Sequence, residues 1–271
     1  MLTHLPLSCH LEAPALERAT LLAERGQTAG AIELLEAHVG EHPAALEERR
    51  LLIRLYGAQG NGSAALGHAE RLAELLPADS PVPWLELGAA RELAHHYEEA
   101  LAAYDRATSV APADPAGPKR GGMRAARWGE LALAEPRLRE AVRRDPSDGE
   151  AWHALGVVCV GLGALDAARQ AYTTGITADP GALENRLGLA TVALRLNDPA
   201  AALAQYDLLL AARPKFTDAL LGRSWSLILM ADYRAAAAAL TQAEQLGANR
   251  ESIARQREEL RARGQPSTGA P

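Results

Sequence analysis

The chain has 271 residues, of which 48% are hydrophobic, 23% charged and only 4% aromatic, with a formal net charge of −6. The apolar share excludes wholesale disorder, and the acidic balance argues against a nucleic-acid binder, which carries a basic face. The hydrophobicity comes mostly from Ala and Leu, which favour helix, while the β-branched and aromatic residues that build sheets are scarce.

In chain order, residues 1–11 read as a leader. MLTHLPLSCHL has neither a basic flank nor an apolar run of the length a secretory signal needs, which makes a cytoplasmic protein the expectation. A periplasmic location is the alternative if a signal is missing from this sequence. The stretch LPLSC faintly matches a lipoprotein cleavage site ending at Cys9, but Pro6 and the short apolar segment spoil the match. No window approaches the roughly 18 apolar residues of a membrane span. The two cysteines, Cys9 and Cys159, make no disulfide framework.

From residue 12 the chain is periodic. Prolines stand at Pro43, Pro77, Pro112, Pro146, Pro180 and Pro214, spaced 34, 35, 34, 34 and 34 apart. Alanines keep the same register at Ala31, Ala65, Ala100, Ala134, Ala168, Ala202 and Ala236, and both ladders share one slip at Ser80. The units are 12–45, 46–79, 81–114, 115–148, 149–182, 183–216 and 217–250. Each predicts two amphipathic helices separated by Gly26, Gly60, Gly129, Gly163 or Asn197, residues suited to a left-handed turn. The closing proline stops the second helix, since it has no N–H and drives its predecessor out of helical geometry. Small alanines mark the crossing of the two helices, where a larger side chain would force the axes apart. Residues 251–263 predict one further, mostly polar capping helix, apolar at Ile253, Leu260 and a few alanines, and 264–271 a disordered tail.

This pattern resembles the tetratricopeptide repeat. Trp84, Leu87, Gly88, Ala100, Tyr104, Ala107 and Pro112 occupy the signature positions of the third unit. Trp152, Leu155, Gly156, Ala168, Tyr172 and Pro180 do so in the fifth. The fourth is looser, with Pro118 and Gly121 where Trp and Leu are usual, and the first and last place Arg18 and Arg223 at the Leu position. The resemblance implies an all-α, right-handed superhelix of helical hairpins whose concave groove, lined by the first helix of each unit, binds a partner protein.

Carried over residue by residue, the groove receives Arg50 and Arg54 from the second unit, and Lys119, Met123, Ala126 and Arg127 from the fourth. It receives His153, Val157 and Val160 from the fifth, and Leu187, Thr191, Leu194 and Arg195 from the sixth. The seventh contributes Leu221, Trp225, Ile228 and Leu229. Lys119, Arg120, Arg124 and Arg127 stand in a stretch without an acidic residue, so a recessed basic stripe would attract acidic side chains or a carboxylate terminus. The rival reading is that these residues are solvated or paired with carboxylates of neighbouring repeats. Trp225 is either a binding anchor or covered by the capping helix.

No catalytic constellation, cofactor motif or metal set accompanies the repeats. GPKRGGMRAARW lacks the phosphate-loop pattern and the preceding strand it needs. His38 and His42 share one face but have no further ligand in sequence, and Cys159 reads as a buried inert thiol. The chaperone-binding clamp of the family is not matched, since Met123 and Ala154 stand where asparagines are needed. The expectation is therefore a non-enzymatic adaptor for an acidic or acidic-plus-apolar segment, without nucleic acid or membrane span. A cell-envelope assembly factor, of the repeat-only lipoprotein type, is the alternative.

Overall fold

The computed structural model describes residues 14–264, so the leader with Cys9 and the tail after Gly264 lie outside the described residues. Those described form fifteen α-helices and no strand. The first six are α1 (Ala15–Glu24), α2 (Thr28–Glu41), α3 (Leu46–Ala58), α4 (Gly62–Leu75), α5 (Val82–Leu93) and α6 (Tyr97–Val110). Then come α7 (Ala116–Arg127), α8 (Leu131–Arg144), α9 (Gly149–Gly161), α10 (Leu165–Ala178) and α11 (Leu183–Arg195). The last are α12 (Pro199–Ala212), α13 (Thr217–Leu229), α14 (Tyr233–Gln245) and α15 (Arg250–Gly264). None is long and apolar enough to cross a membrane. The chain divides into two compact units, Met1–Gly117 and Pro118–Pro271.

Local chemistry sets the hairpins. The turn after each first helix passes through a left-handed residue: Gly26, Gly60, Gly129, Gly163 and Asn197, and also His95 (φ 64°) and Ala231 (φ 63°). The next residue caps the second helix where it is Asn or Asp: Asn61, Asp198 and Asp232 accept from the N–H groups of Ala64, Ala201 and Ala235 at 3.2, 3.0 and 3.1 Å. From α2 to α12, each second helix ends two residues before the proline of its unit.

Packing follows the alanine ladder. All seven ladder alanines are 0% exposed, consistent with close approach of the helices at those points. In the N-terminal unit Leu35 and Leu52 centre one core cluster, and Leu72, Leu87 and Ala103 belong to the next. In the C-terminal unit Tyr172 lies against Gly156 of its own hairpin and Gly188 of the next, and a Cβ on either glycine would run into its ring. The two signature tryptophans reach back alike: Trp84 Nε1 donates to the Ala78 carbonyl at 3.3 Å and Trp152 Nε1 to that of Pro146 at 2.9 Å.

The polar helix α15 closes the C-terminal unit. Ile253 is buried with Leu220 and Ala243, Leu260 packs on the cluster of Leu227, Ile228 and Ala236, and Gln256 donates to the Leu221 carbonyl at 3.1 Å. One irregularity stands apart from the repeat pattern. Helix α8 continues through Pro136, whose ring nitrogen has no hydrogen for the carbonyl one turn back.

Candidate partner-binding face

In the N-terminal unit the two arginines expected at the groove differ. Arg54 is exposed, whereas Arg50 is half-buried and donates to Glu47 at 2.8 Å. The side chain that organises this region is the neighbouring Arg49, which is 8% exposed. Its Nε and Nη2 donate to the Pro43 carbonyl at 3.3 and 3.1 Å, and its Nη1 lies 3.5 Å from His68 Nδ1. His68 Nε2 and the Tyr56 hydroxyl both reach Glu36, at 2.9 and 2.6 Å, so one carboxylate ties α2 to α3 and α4. Burial raises the Glu36 pKa, but the bonds from Tyr56 and His68 outweigh it and hold the carboxyl below its ordinary value. Burial, and then the bond to Glu36, pushes the Tyr56 phenol up to about 12. This network is spread over three helices, and no one-helix pattern announces it.

In the C-terminal unit the first helices α9, α11 and α13 stand side by side, with α9 touching α11 and α11 touching α13. Lys119 of α7 is consumed by this arrangement. Its Nζ pairs with Asp148 at 2.6 Å and Glu150 at 2.8 Å, joining α7 to the start of α9, whose N-terminus Asp148 also caps. Burial lowers the Lys119 pKa, but the two carboxylates more than compensate and raise it. For Lys119, then, the expectation of a free basic groove residue is replaced by pairing across repeats. Arg120 and Arg127 remain exposed, and with Met123 and Arg124 they line a cavity of about 310 Å³.

Farther along the same face Val157 is 46% exposed, Thr191 is exposed, and His153, Val160, Leu194 and Leu229 are half-buried. Burial pushes the His153 pKa down despite Glu184 and Glu150, and its ring sits 5.9 Å from that of Tyr172. Leu187 and Leu221 are half-buried and spend part of their surface on the core clusters beneath them. Ile228, expected on the groove, is 1% exposed and packs with Leu227 and Ala236, so it belongs to the core. Trp225 is half-buried on that same cluster, which Leu260 of α15 also covers.

The remaining candidates are structural in their surroundings. The His38 and His42 rings stack at 4.3 Å with Glu48 3.7 Å from His38, and no group of three or more metal-binding side chains occurs among the described residues. Cys159 is 1% exposed, and burial pushes its thiol pKa up. It borders a cleft of about 350 Å³ together with Trp152, Arg139 and Arg143.

Residues 120–182 match the tetratricopeptide repeat family model. No curated protein sequence matches the chain significantly. Among solved structures, the C-terminal part of a tetratricopeptide repeat-containing protein from Cytophaga hutchinsonii is similar with a TM-score of 0.72 at 16% identity, over 88% of this chain and 98% of that one. YrrB, described as a tetratricopeptide repeat protein with an unusual peptide-binding site, gives 0.62 at 16% identity, over 70% and 97%. A tetratricopeptide repeat protein from Parabacteroides merdae gives 0.56 at 16% identity, over 91% and 97%. At such identities the likeness is one of fold. The described residues thus form an all-α array whose fold is that of tetratricopeptide repeat structures, and residues 120–182 match the family's sequence model.

Proposed function

We propose that the chain is a non-enzymatic adaptor that holds a segment of another protein, acidic at one end and apolar at the other, on the first-helix face of its C-terminal unit. The observation that carries the reading is the order of side chains on that face. Exposed Arg120 and Arg127 flank Met123 on α7, and Val157, 46% exposed, follows on α9. Guanidinium forks match carboxylates bidentately, and the apolar side chains beyond them supply contact area that water otherwise covers. Helices held by a packed alanine ladder are already ordered, so little receptor entropy is lost on binding. YrrB, a protein of similar fold, is described as having an unusual peptide-binding site, which supports a peptide-holding use of this fold.

Selection of a displayed random-peptide library on the full chain tests this. Enriched sequences should carry Asp or Glu a few residues from an apolar side chain and should bind more weakly as salt rises. Arg120→Glu with Arg127→Glu should slow association, and Val157→Asp should speed dissociation, both without loss of helicity. Parent-like rates in both variants would contradict the assignment of this face.

A further inference from the structure

The cleft of about 350 Å³ beside Cys159 is built by α8, α9 and α10 and shares no lining residue with the cavity of Arg120 and Arg127. The third repeat, which carries the same signature residues, shows how such a space arises. Two periods earlier in the chain the positions of Cys159 and Ala167 hold Arg91 and Glu99, and Arg91 Nη1 donates to the Glu99 carbonyl at 3.2 Å. The Trp152 position there holds Trp84, whose ring is covered by the Arg106 guanidinium at 5.6 Å from the centroid. The fifth repeat has Thr174 in place of Arg106, one helical turn beyond Gln170 of the cleft wall. A side chain that spans two helices and a cation that covers the indole are thus both replaced by shorter residues, and space opens beside Trp152, Leu155 and Cys159.

The rim has changed as well. Arg139 and Arg143 of α8 line the cleft, whereas α4 carries Glu70 and Glu74 at the corresponding positions of the second repeat. Neither guanidinium is exhausted by its own helix. Arg139 gives Nε and Nη2 to Glu135 at 3.1 and 2.8 Å, Arg143 gives the same two nitrogens to Glu140 at 2.7 and 2.6 Å, and each keeps Nη1 to donate. Such exposed pairs also hold their side chains loosely enough to turn toward a new acceptor.

These features define a ligand. The Trp152 N–H is spent on the Pro146 carbonyl, so the indole offers its ring, and rings stack with flat partners. The buried Cys159 sulfur is a small, polarisable, apolar surface. Glu135 and Glu140 already offset part of the charge of Arg139 and Arg143, so the rim suits a monoanion, and guanidinium forks match carboxylates. The volume lies at the small end of ligand pockets, which run from roughly 300 to 1,000 Å³ and occur between the helices of bundles. We propose that this cleft binds a small planar carboxylic acid, its flat apolar body against Trp152 and Cys159 and its carboxylate on Arg139 and Arg143.

Titration of 2-naphthoate into the full chain, followed on the indole N–H resonances, tests this. The Trp152 resonance should shift and saturate with a dissociation constant of about 1 mM or below, while that of Trp84, covered by Arg106, stays in place. 2-Naphthamide, the same body without the charge, should bind at least about tenfold more weakly. Arg139→Gln with Arg143→Gln should abolish that preference. Ala167→Leu, at a half-buried position on the cleft wall, should fill the space and weaken both probes, with unchanged circular dichroism in either variant. Arg120→Glu with Arg127→Glu should leave naphthoate binding alone. Acetyl-Gly-Gly-Phe, which ends a peptide in similar chemistry, should bind no tighter than the free acid. The proposal is overturned by the absence of a saturable Trp152 shift, by an equal shift at Trp84, by equal affinity for the amide, or by indifference to Ala167→Leu. Tighter binding of the peptide also overturns it, since the cleft would then belong to a chain terminus.

Discussion

Two neighbouring hairpins of the C-terminal unit use one frame in different ways. The α9–α10 hairpin spends its positions on packing: Leu155, Ala168 and Tyr172 are at most 3% exposed, Asp148 caps α9, and Trp152 is anchored to the Pro146 carbonyl. The α7–α8 hairpin buries smaller side chains, Ala125, Ala134, Leu138, Ala141 and Val142, and has Gly129 in the left-handed turn. Where its neighbour has Trp and Leu it has Pro118 and Gly121, and a second proline, Pro136, interrupts α8. Ion pairs along the helix surface accompany that interruption, Glu135 with Arg139 at 2.8 Å and Glu140 with Arg143 and Arg144 at 2.6 and 2.7 Å. The hairpin that departs farthest from the packing pattern is the one that presents Arg120 and Arg127. A local rule relaxed where a charged surface is displayed is the signature expected of a binding element.

The largest effect that would break this contrast comes from Pro136→Ala. Restoring an N–H and removing the ring from a helix interior should stabilise the C-terminal unit by up to about 3 kcal/mol, read as a higher denaturant midpoint at unchanged slope. An unchanged midpoint would mean that α8 bears no proline penalty. Next, Ala168→Leu should overpack the α9–α10 crossing and cost about 1–3 kcal/mol. Ala134→Leu should cost less if the α7–α8 hairpin yields more readily, and equal losses would erase the difference between them.

Smaller effects sharpen the link between the hairpins. Asp148→Ala removes both the cap of α9 and a partner of Lys119, and should cost about 1 kcal/mol through the cap. Asp148→Asn keeps the cap oxygen and loses the ion pair, so it should cost less than about 1 kcal/mol. A larger loss from Asn than from Ala would reverse the assignment of the two roles. The smallest effect is in acid. Hydrogen bonds from Arg143 and then Arg144 hold the Glu140 carboxyl at about 2, below its ordinary 4.5. A carboxylate depressed on folding stabilises above its ordinary value and loses that contribution as pH falls toward its folded one. Glu140→Gln should therefore flatten the acid limb of the stability curve between pH 4.5 and about 2, and an acid limb that stays as steep would count against the pair.

The frame was legible because its two ladders have steric causes. A buried alanine and a terminating proline are each the residue that the position tolerates, so their spacing could be read without any contact map. The left-handed turns at His95 and Ala231 were hidden because neither residue advertises the conformation that its register imposes. Arg120 and Arg127 could be found as a local excess of charge on one helix. For Lys119 the rival reading, pairing with carboxylates of a neighbouring repeat, is the one realised, but its partners Asp148 and Glu150 belong to another hairpin and could not be named from one helix. Ile228 was misplaced because a family position was carried to the last repeat, where the cluster it enters with Leu227 and Ala236 is also covered by Leu260 of α15. The Arg49–His68–Glu36 network lay beyond a helix-by-helix reading for the same reason as Lys119.

The most direct test of the contrast is amide hydrogen exchange resolved to α7 and α9 in the full chain. Each glycine in a helix interior forfeits about 1 kcal/mol relative to Ala, and α7 carries Gly121 and Gly122 in succession after Pro118. The account predicts that the amides of α7 exchange faster than those of α9, although α7 is an internal helix. Equal protection in the two helices would contradict it, and α7 would then be as firmly packed as the hairpin beside it.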